Sequence, residues 1–334
     1  MLTKTYFSLT VSMLFLHETR LLGAASALPV VENNQNVEPG ANELEHFSTT
    51  SKRVSDLYEP GHFIVNPDLC GHDNGANLSL LIMVRSAPKN HNQRIAIRDT
   101  WGVYGSRNDI SLGFLIGTTN NHSTENSLED ESDLYGDIVR SHFTENYDNL
   151  TLKTISVLEW VDVHCSQAEF VFNVDDDMFI NVMQLMSFID DNHSAANQKV
   201  IFGHLVKMTP IRRKTKDQKN VLSRKEYSPS RFPSFVVGGA YLISRSAIHD
   251  LYMKALTLPY LKLEDVFITG IVAQLMNVKR IFGFEKFNLA LNQSIAFDTP
   301  FDVCSLRQMI SIHGVHPNKM YDLWKKQLDT NIKC

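Results

Sequence analysis

Short apolar runs alternate with helical patterns through most of the chain. Four runs have the length and composition of strands buried on both faces: residues 78–84, 112–116, 169–174 and 200–202. Three segments between them have the pattern expected of helices: residues 94–101, 151–164 and 182–189. Strands that alternate with helices at this pace are typical of a sheet whose strands are largely parallel. The pattern therefore predicts an α/β fold with a mostly parallel central sheet.

The first part of the chain lacks this alternation. Residues 1–31 contain two short apolar runs around a polar break, and Ala25-Ser26-Ala27 resembles a signal-peptidase site. The first run is too short to span a bilayer comfortably, so a cleaved signal peptide and a signal-anchor both stay open, and either delivers the chain to the lumen. Residues 32–69 are polar with little periodicity and predict a flexible lumenal stem. Residues 70–334 remain as the predicted catalytic domain.

The composition adds two exclusions. The 334 residues are 43% hydrophobic and 21% charged, which is ample for a buried core and argues against wholesale disorder. The formal net charge of -5 gives no electrostatic reason to expect nucleic acid as a partner.

Cysteines and sequons bear on the cellular compartment. The four cysteines are far apart, and no pair has the spacing of a zinc site or a CxxC redox motif: Cys70, Cys165, Cys304 and Cys334. They fit two disulfides in an oxidising compartment or four buried thiols, and the N-terminal segment favours the first alternative. Five sequons support lumenal entry only mildly, because roughly three would arise by chance. They start at Asn77, Asn121, Asn149, Asn192 and Asn292.

An acidic run follows the third predicted strand directly. Asp175, Asp176 and Asp177 repel one another, and a hard divalent cation that bridges diphosphate oxygens would offset that repulsion. In an α/β sheet, ligands gather at the carboxyl ends of the strands, where this run lies. The alternative is a solvated turn that caps the next helix.

Two further motifs are candidates for chemistry. Glu264 and Asp265 open an apolar stretch, either as the acidic start of a helix or as a general base near a reaction centre. Gly238 and Gly239 interrupt a strand-like segment, which marks either the close approach of a ligand or backbone, or a bulge.

Several cations and histidines are less specific. Arg94 and Arg98 lie one helical turn apart and would serve either a diphosphate or the surface. His313 and His316 would complete a metal site or play structural roles. A basic cluster between two strands is either a solvated loop or a flap over an anionic donor: Arg212, Arg213, Lys214, Lys216, Lys219, Arg224 and Lys225.

The order of these motifs resembles that of the β-1,3-galactosyltransferases and their β-1,3-N-acetylglucosaminyltransferase relatives, the hexosyltransferases of glycosyltransferase family 31. The opening motif is Arg94-x-x-x-Arg98-x-Thr100-Trp101-Gly102. The others follow it in order: Asp137-Ile138 with Tyr147-x-Asn149-Leu150-Thr151-x-Lys153, Asp175-Asp176-Asp177, Gly238-Gly239-Ala240-Tyr241, Glu264-Asp265-Val266 and His313-x-x-x-Pro317. The resemblance covers the whole chain after the predicted stem.

The resemblance implies a GT-A-like fold, a UDP-sugar donor, Mn²⁺, inversion at the anomeric carbon and type II topology in the Golgi membrane. By position, Asp177, Asp175 and His313 resemble the metal ligands, and Asp265 resembles the catalytic base with Glu264 beside it. The implied donor-binding residues are Arg94, Arg98, Asp175, Asp176, Gly238 and Gly239. The implied disulfides are Cys70–Cys165 and Cys304–Cys334.

The chain departs from the family pattern at a few positions. Asn173 stands where the family often has Lys, Ala240 replaces a third glycine, and Val236-Val237 replace a residue that is often Cys. These departures leave the metal and base positions untouched and bear on the donor and acceptor. Galactose and N-acetylglucosamine both remain open as the sugar transferred to a glycan acceptor.

Two other functions compete with an inverting glycosyltransferase. A catalytically silent relative, acting as a lumenal glycan-binding or chaperone subunit, would not need the acidic and histidine positions. A metal-dependent phosphohydrolase would use the aspartates to cleave a UDP-sugar without any acceptor. A serine hydrolase is not expected, because the chain has no GxSxG motif.

Overall fold

The computed structural model describes Phe47 and residues 52–213, 221–283, 289–290 and 303–334. The predicted signal segment, Asn292 and three members of the basic cluster (Lys214, Lys216 and Lys219) lie outside the described residues. In the part of the chain that is described, no helix is both long enough and apolar enough to cross a membrane.

Eleven strands occur in the described residues, and eight of them form the central sheet. In chain order they are β1 (His62–Ile64), β2 (Leu80–Arg85), β3 (Ile110–Thr118), β4 (Ile138–Thr144), β5 (Phe170–Asp175), β6 (Met178–Ile180), β7 (Val200–Val206), β8 (Phe235–Ser244), β9 (Lys279–Phe282), β10 (Leu289–Ala290) and β11 (Ser311–His313). The central sheet has the order β1-β4-β3-β2-β5-β8-β7-β9, and a small sheet has the order β10-β11-β6. The block β4-β3-β2-β5 is parallel throughout, whereas β8 runs antiparallel to both of its neighbours. The predicted α/β class is thus confirmed.

Helices cover both faces of this sheet. They are α1 (His91–Asp99), α2 (His122–Tyr135), α3 (Leu150–His164), α4 (Val182–Asp191), α5 (Arg245–Thr257), α6 (Ala273–Leu275), α7 (Val303–Gln308) and α8 (Pro317–Leu328). One apolar cluster joins a face of the sheet to α3 and α5, and a second joins the opposite face to α1, α4 and α8. The parallel block is buried on both faces, which explains the continuous apolar runs in its strands.

All four predicted strands and all three predicted helices are present, with ends shifted by a few residues. The apolar stretch after Glu264-Asp265 begins as a π-helix, Val266–Val272, and continues into α6. Single π-helical turns are frequent at functional sites, because the wider turn re-aims the side chains around it.

Part of the predicted stem belongs to the folded unit. Val54 is fully buried, and the Tyr58 hydroxyl donates a 2.5 Å hydrogen bond to the carboxylate of Glu159 on α3. The strand β1 extends the central sheet by pairing with β4. Backbone hydrogen bonds also join this segment to the chain just before Glu264-Asp265, from the Val54 N–H to the Leu258 carbonyl at 2.9 Å. The boundary at Cys70 therefore falls inside the folded unit, because a few isolated apolar residues give no periodic signal.

A chain that starts at Cys70 should be much less stable than one that starts at Gly40. The shorter form loses the burial of Val54 and Tyr58, at about 1.5–3 kcal/mol per side chain, and removes the Tyr58 donor from the buried Glu159, which keeps the Tyr252 hydroxyl at 3.1 Å. We expect poor secretion and a free energy of unfolding lower by roughly 3–6 kcal/mol in urea titration. Tyr58→Phe in the longer form isolates the Glu159 contact. Equal stability of the two forms would contradict this placement of residues 52–69.

The structure forms both disulfides that the resemblance implies. Cys70 is bonded to Cys165 at the end of α3, and Cys304 on α7 is bonded to Cys334 near the chain end. Since the described part of the chain contains no free cysteine, the arrangement suits an oxidising compartment.

Candidate functional site

The acidic run lies at the carboxyl edge of the parallel block. Asp175 is the last residue of β5, and Asp176 and Asp177 form the turn into β6. On the neighbouring strand, Arg85 ends β2 directly opposite Asp175. Chain ends of adjacent parallel strands meet at one edge, so carboxylates and a guanidinium are brought together there.

Asp177 and His313 lie close together at this edge of the sheet. The strand β11 pairs antiparallel with β6, which places His313 opposite Met178. As a result, His313 Nε2 lies 3.4 Å from Asp177 Oδ2. The second oxygen of Asp177 is buried and has no hydrogen-bond partner among the described residues. Burial raises the pKa of Asp177, and the nearby His313 opposes that shift.

These two side chains fit a divalent cation that also binds a diphosphate. An orphaned carboxylate oxygen beside an imidazole offers two ligands, and small divalent cations at phosphate sites commonly take only one or two protein ligands. Among the described residues, no group of three or more His, Cys, Asp or Glu side chains converges on one point. The remaining ligands would therefore have to come from substrate and water.

Asp176 has a different environment from its neighbours. Its carboxylate is buried and accepts hydrogen bonds from the Ser86 hydroxyl at 2.6 Å and the Asn90 amide at 2.9 Å. These two residues belong to the connection between β2 and α1. Asp176 thus fixes that loop beside Asp177 and His313, and its contact with the donor stays a prediction.

Arg85 joins the acidic run to the second acidic motif. Its guanidinium is buried and lies 2.8 Å from Asp175 Oδ1 and 3.0 Å from Glu264 Oε2. It also donates to Thr154 Oγ1 at 2.9 Å and to the Gly238 carbonyl. Burial opposes the charge on Arg85, but the carboxylates of Asp175 and Glu264 outweigh that effect and raise its pKa. Burial likewise raises the pKa of Asp175, against the opposing effect of Arg85.

Gly238 lies against the second acidic motif. A side chain at this position would place its Cβ 2.9 Å from Glu264 Oε2 and 3.3 Å from the Cβ of Asp265, so only glycine fits without displacement. At Gly238 the structure supports the close approach of other residues rather than a bulge. The residues that approach it are Glu264 and Asp265.

The pKa of Asp265 is shifted towards neutral pH. Burial and the neighbouring Glu264 raise its pKa to about 6, although backbone N–H groups of Val266 and Gly238 lower it. The Val266 N–H donates to Asp265 Oδ1 at 2.8 Å. Glu264 itself accepts a 2.6 Å hydrogen bond from the Tyr241 hydroxyl. A carboxylate with a raised pKa and a fixed orientation is suited to removing a proton from a hydroxyl group.

The predicted donor-binding arginines are engaged in the protein interior. Arg94 is buried, pairs with Glu131 at 2.7 Å, and donates to the Ser86 hydroxyl at 3.0 Å. Arg98 contacts Glu131 at 2.7 Å and Asp137 at 2.8 Å, and its guanidinium lies over the Tyr135 ring. Both arginines therefore support the loop and helices behind the site, and direct contact with a donor stays a prediction.

The other candidates are spread over the surface. Asn77 and Asn121 are exposed, whereas the amides of Asn149 and Asn192 donate to the Thr144 and Phe188 carbonyls. His316 is exposed in a groove between α1 and α8 that Asn92, Ile95, Asn318 and Tyr321 also line. Gly239 follows Gly238 on β8.

Sequence reasoning missed Arg85. The predicted strand ends at residue 84, directly before it, although an arginine at the carboxyl end of a buried strand is a usable signal. The family motifs contain Tyr241 and Lys153 but assign neither residue a role. Lys153 is buried and bonds the Ser86 carbonyl at 2.9 Å and Glu145 at 2.5 Å.

Comparison with known proteins identifies the family. The family described as Galactosyltransferase matches residues 92–282, which is more than half of the chain and spans the acidic run and the Glu264-Asp265 motif. The chain belongs to the galactosyltransferase family.

Named relatives extend the similarity beyond that region. Beta-1,3-galactosyltransferase 5 of Homo sapiens is 32% identical over 252 residues, which covers 74% of this chain and 77% of the relative. UDP-GlcNAc:betaGal beta-1,3-N-acetylglucosaminyltransferase 7 of Rattus norvegicus is 30% identical over 312 residues, covering 90% of this chain and 74% of the relative. Relatives with two different donor sugars are thus similar to this galactosyltransferase family member to almost the same degree.

At low TM-scores, the chain is similar to solved structures of glycosyltransferases. The galactosyltransferase LgtC in complex with donor and acceptor sugar analogs has a TM-score of 0.38 at 10% identity, over 75% of this chain and 96% of that chain. A glycosyltransferase involved in the glycosylation of the major capsid of PBCV-1 has a TM-score of 0.39 at 10% identity, over 73% and 98%.

Proposed function

We propose that this protein is an inverting β-1,3-glycosyltransferase that transfers galactose or N-acetylglucosamine from a UDP-sugar to a glycan acceptor. The observation that carries the proposal is that a carboxylate with a raised pKa, Asp265, is linked to the sheet edge where Asp177 and His313 would hold a metal ion. Asp265 has a pKa of about 6 and is joined through Glu264 and Arg85 to the acidic run at the end of β5. Membership of the galactosyltransferase family and the named relatives support the reaction class.

The base and the metal pair have separate tasks. Asp265 removes the proton from the acceptor hydroxyl as that oxygen attacks the anomeric carbon, and the proton stays on its carboxyl group. Asp177 and His313 would hold Mn²⁺, which when bound supplies charge stabilisation for the departing UDP. A single displacement needs no enzyme nucleophile and inverts the anomeric configuration. The relatives named as transferases disfavour the silent relative, and the dependence of UDP release on an acceptor separates a transferase from a phosphohydrolase.

The direct test uses residues 40–334 in secreted form, with Mn²⁺ and a panel of β-linked acceptor glycans. UDP-galactose, UDP-N-acetylglucosamine and UDP-N-acetylgalactosamine are offered separately, and UDP release and product mass are measured. Transfer from one donor establishes the enzyme and names its sugar. UDP release without an acceptor product favours the phosphohydrolase, and absence of both turnover and UDP binding would contradict the proposal.

The pH profile should report the titration of Asp265. Its pKa in the folded protein is raised to about 6, so the carboxylate gains a proton and loses its function as a base as the pH falls through that value. At saturating Mn²⁺, we expect kcat/KM to be flat above about pH 7 and to fall roughly tenfold per pH unit below about pH 5.5. A rate that is constant from pH 8 to pH 5 would exclude Asp265 as the base.

Location in the Golgi membrane is part of the proposal. It is supported by the apolar N-terminal segment and by the two disulfides, which suit an oxidising lumen. We propose single-pass type II topology, with a secreted form if the N-terminus is cleaved. Microscopy of the tagged chain, protease protection and N-terminal sequencing of secreted material distinguish anchor from cleaved signal.

A further inference from the structure

We propose that Arg85 is a positioning residue that locks the catalytic acidic pair to the metal-side acidic run, and that its charge is the one cation on which both motifs depend. This inference rests on the proposed function, because it assigns Arg85 a task in that reaction. Arg85 is 4% exposed and lies beneath the edge, so it acts through other residues rather than on the substrate.

A single guanidinium group holds both acidic motifs. One terminal nitrogen lies 2.8 Å from Asp175 Oδ1, and the other lies 3.0 Å from Glu264 Oε2. The planar, rigid fork of arginine fixes the angle between two partners, which the single ammonium group of lysine does not do. The guanidinium group of Arg85 thereby fixes where β5 lies relative to the segment that carries Asp265.

Gly238 carries this constraint to the base. Its carbonyl accepts a hydrogen bond from Arg85, and its backbone N–H lowers the pKa of Asp265. Its missing side chain lets Glu264 and Asp265 approach closely. Arg85 therefore reaches Asp265 by two routes, through the neighbouring Glu264 and through the peptide of Gly238.

Position 173 on β5 holds a neutral asparagine, so the positive charge of this cluster comes from Arg85 on β2. Asn173 precedes Asp175 by two residues on β5, so it faces the same side of the sheet, and it lies opposite Tyr241, the partner of Glu264. Asn173 is fully buried, and within the described residues its amide oxygen and nitrogen have no hydrogen-bond partner. The position is thus close enough to serve the same carboxylates, but in this chain it supplies no charge. Among the described residues, Arg85 is the cation that pairs with Asp175 and Glu264.

The kinetic test compares two buried arginines in the full chain. Arg85→Met keeps an unbranched side chain as far as the ε position and removes the charge and the hydrogen bonds of the guanidinium group. We expect kcat to fall about 100-fold, because a misplaced base is costly, while the KM for the UDP-sugar changes less than about threefold. Arg85→Lys should recover part of kcat.

Arg140→Met is the matched control. Arg140 is also fully buried, on β4, and pairs with Glu125 at 2.6 Å, two strands away from β2. We expect its loss to lower the melting temperature with kcat unchanged within about twofold. Equal kcat values for Arg85→Met and Arg140→Met would reduce Arg85 to a structural role and overturn the inference.

A thermal double-mutant cycle tests the same idea without turnover. Asn173→Lys adds a second buried cation to the wild-type chain and should lower the melting temperature. In the Arg85→Met background the same change supplies the missing cation, so it should raise the melting temperature and restore part of kcat. The reversal of sign supports the inference, and a shift of the same sign in both backgrounds overturns it. If the wild-type chain transfers no sugar, the proposed function fails, and the cycle still decides whether Arg85 compensates this cluster.

Discussion

Replacing Asp265 with Asn should reduce kcat by about 10²–10⁴-fold, the range in which a general base contributes, without weakening the binding of UDP. Asparagine has nearly the same shape and keeps an oxygen for the backbone N–H of Val266, which lies 2.8 Å from Asp265 Oδ1. It has no basic carboxylate, so the acceptor hydroxyl keeps its proton. The measurements are single-turnover transfer rates and calorimetric titration with UDP and Mn²⁺.

The same substitution should stabilise the protein at neutral pH. Burial raises the pKa of Asp265 to about 6, above the ordinary value of about 3.9, so the folded state carries an unfavourable charge above pH 6. Asparagine removes that charge, and we expect a gain of roughly 1–3 kcal/mol at pH 7.5. The gain should shrink as the pH falls through 6 and vanish below about 4, where the wild-type carboxyl is neutral in both states.

A variant with lost UDP affinity or a lower melting temperature at pH 7.5 would contradict this account. Such a result would give Asp265 a structural or donor-binding role. Asp162→Asn is a useful control, since Asp162 contacts the exposed His249 at 2.9 Å and has no place in the site.

Asp177→Ala should abolish metal-dependent turnover while the protein still folds and is secreted. The side chain contributes one oxygen near His313 and one buried oxygen that has no partner in the described structure, so few protein contacts are lost. The turn itself is held by its backbone, because the Asp177 carbonyl accepts a 2.8 Å hydrogen bond from the Val315 N–H. We expect kcat to fall at least about 100-fold, as the loss of metal charge stabilisation requires.

The decisive measurement is the Mn²⁺ dependence of UDP binding and of turnover in parallel. Asp177→Ala and His313→Ala should both shift the Mn²⁺ concentration for half-maximal UDP binding upwards, whereas Asp162→Ala should not. Full activity of Asp177→Ala at low Mn²⁺ would remove this residue from the metal role. An unfolded Asp177→Ala protein, detected by a lost melting transition, would show that its main task is structural.

The fold class follows from local physical chemistry. The runs that became β2, β3 and β5 are mostly apolar because both faces of the parallel block are covered, and this is visible in the sequence. The acidic run was conspicuous for the same reason, since three carboxylates directly after a buried strand need a partner. The pair Glu264-Asp265 gave no comparable signal by itself and gained its role from the resemblance to a family.

The sequence could not show which distant residues would meet. His313 reaches Asp177 only because β11 pairs with β6, and both are three-residue strands that give no periodic pattern. The N-terminal residues around Val54 and Tyr58 are polar on average, and their attachment depends on a few contacts with α3 and with the chain before Glu264.

The α/β fold, the strand end that carries Asp175 to Asp177, and a family motif order that points to nucleotide-sugar chemistry can all be read from the amino-acid pattern. Only the tertiary structure decided that Arg85 lies between Asp175 and Glu264, and that Gly238 lies beneath Asp265. The physical reason is that periodicity and composition report burial, which is a property of each segment. A buried ion pair depends instead on the register of several strands and on the position of a helix start, and those are fixed only when the whole sheet assembles.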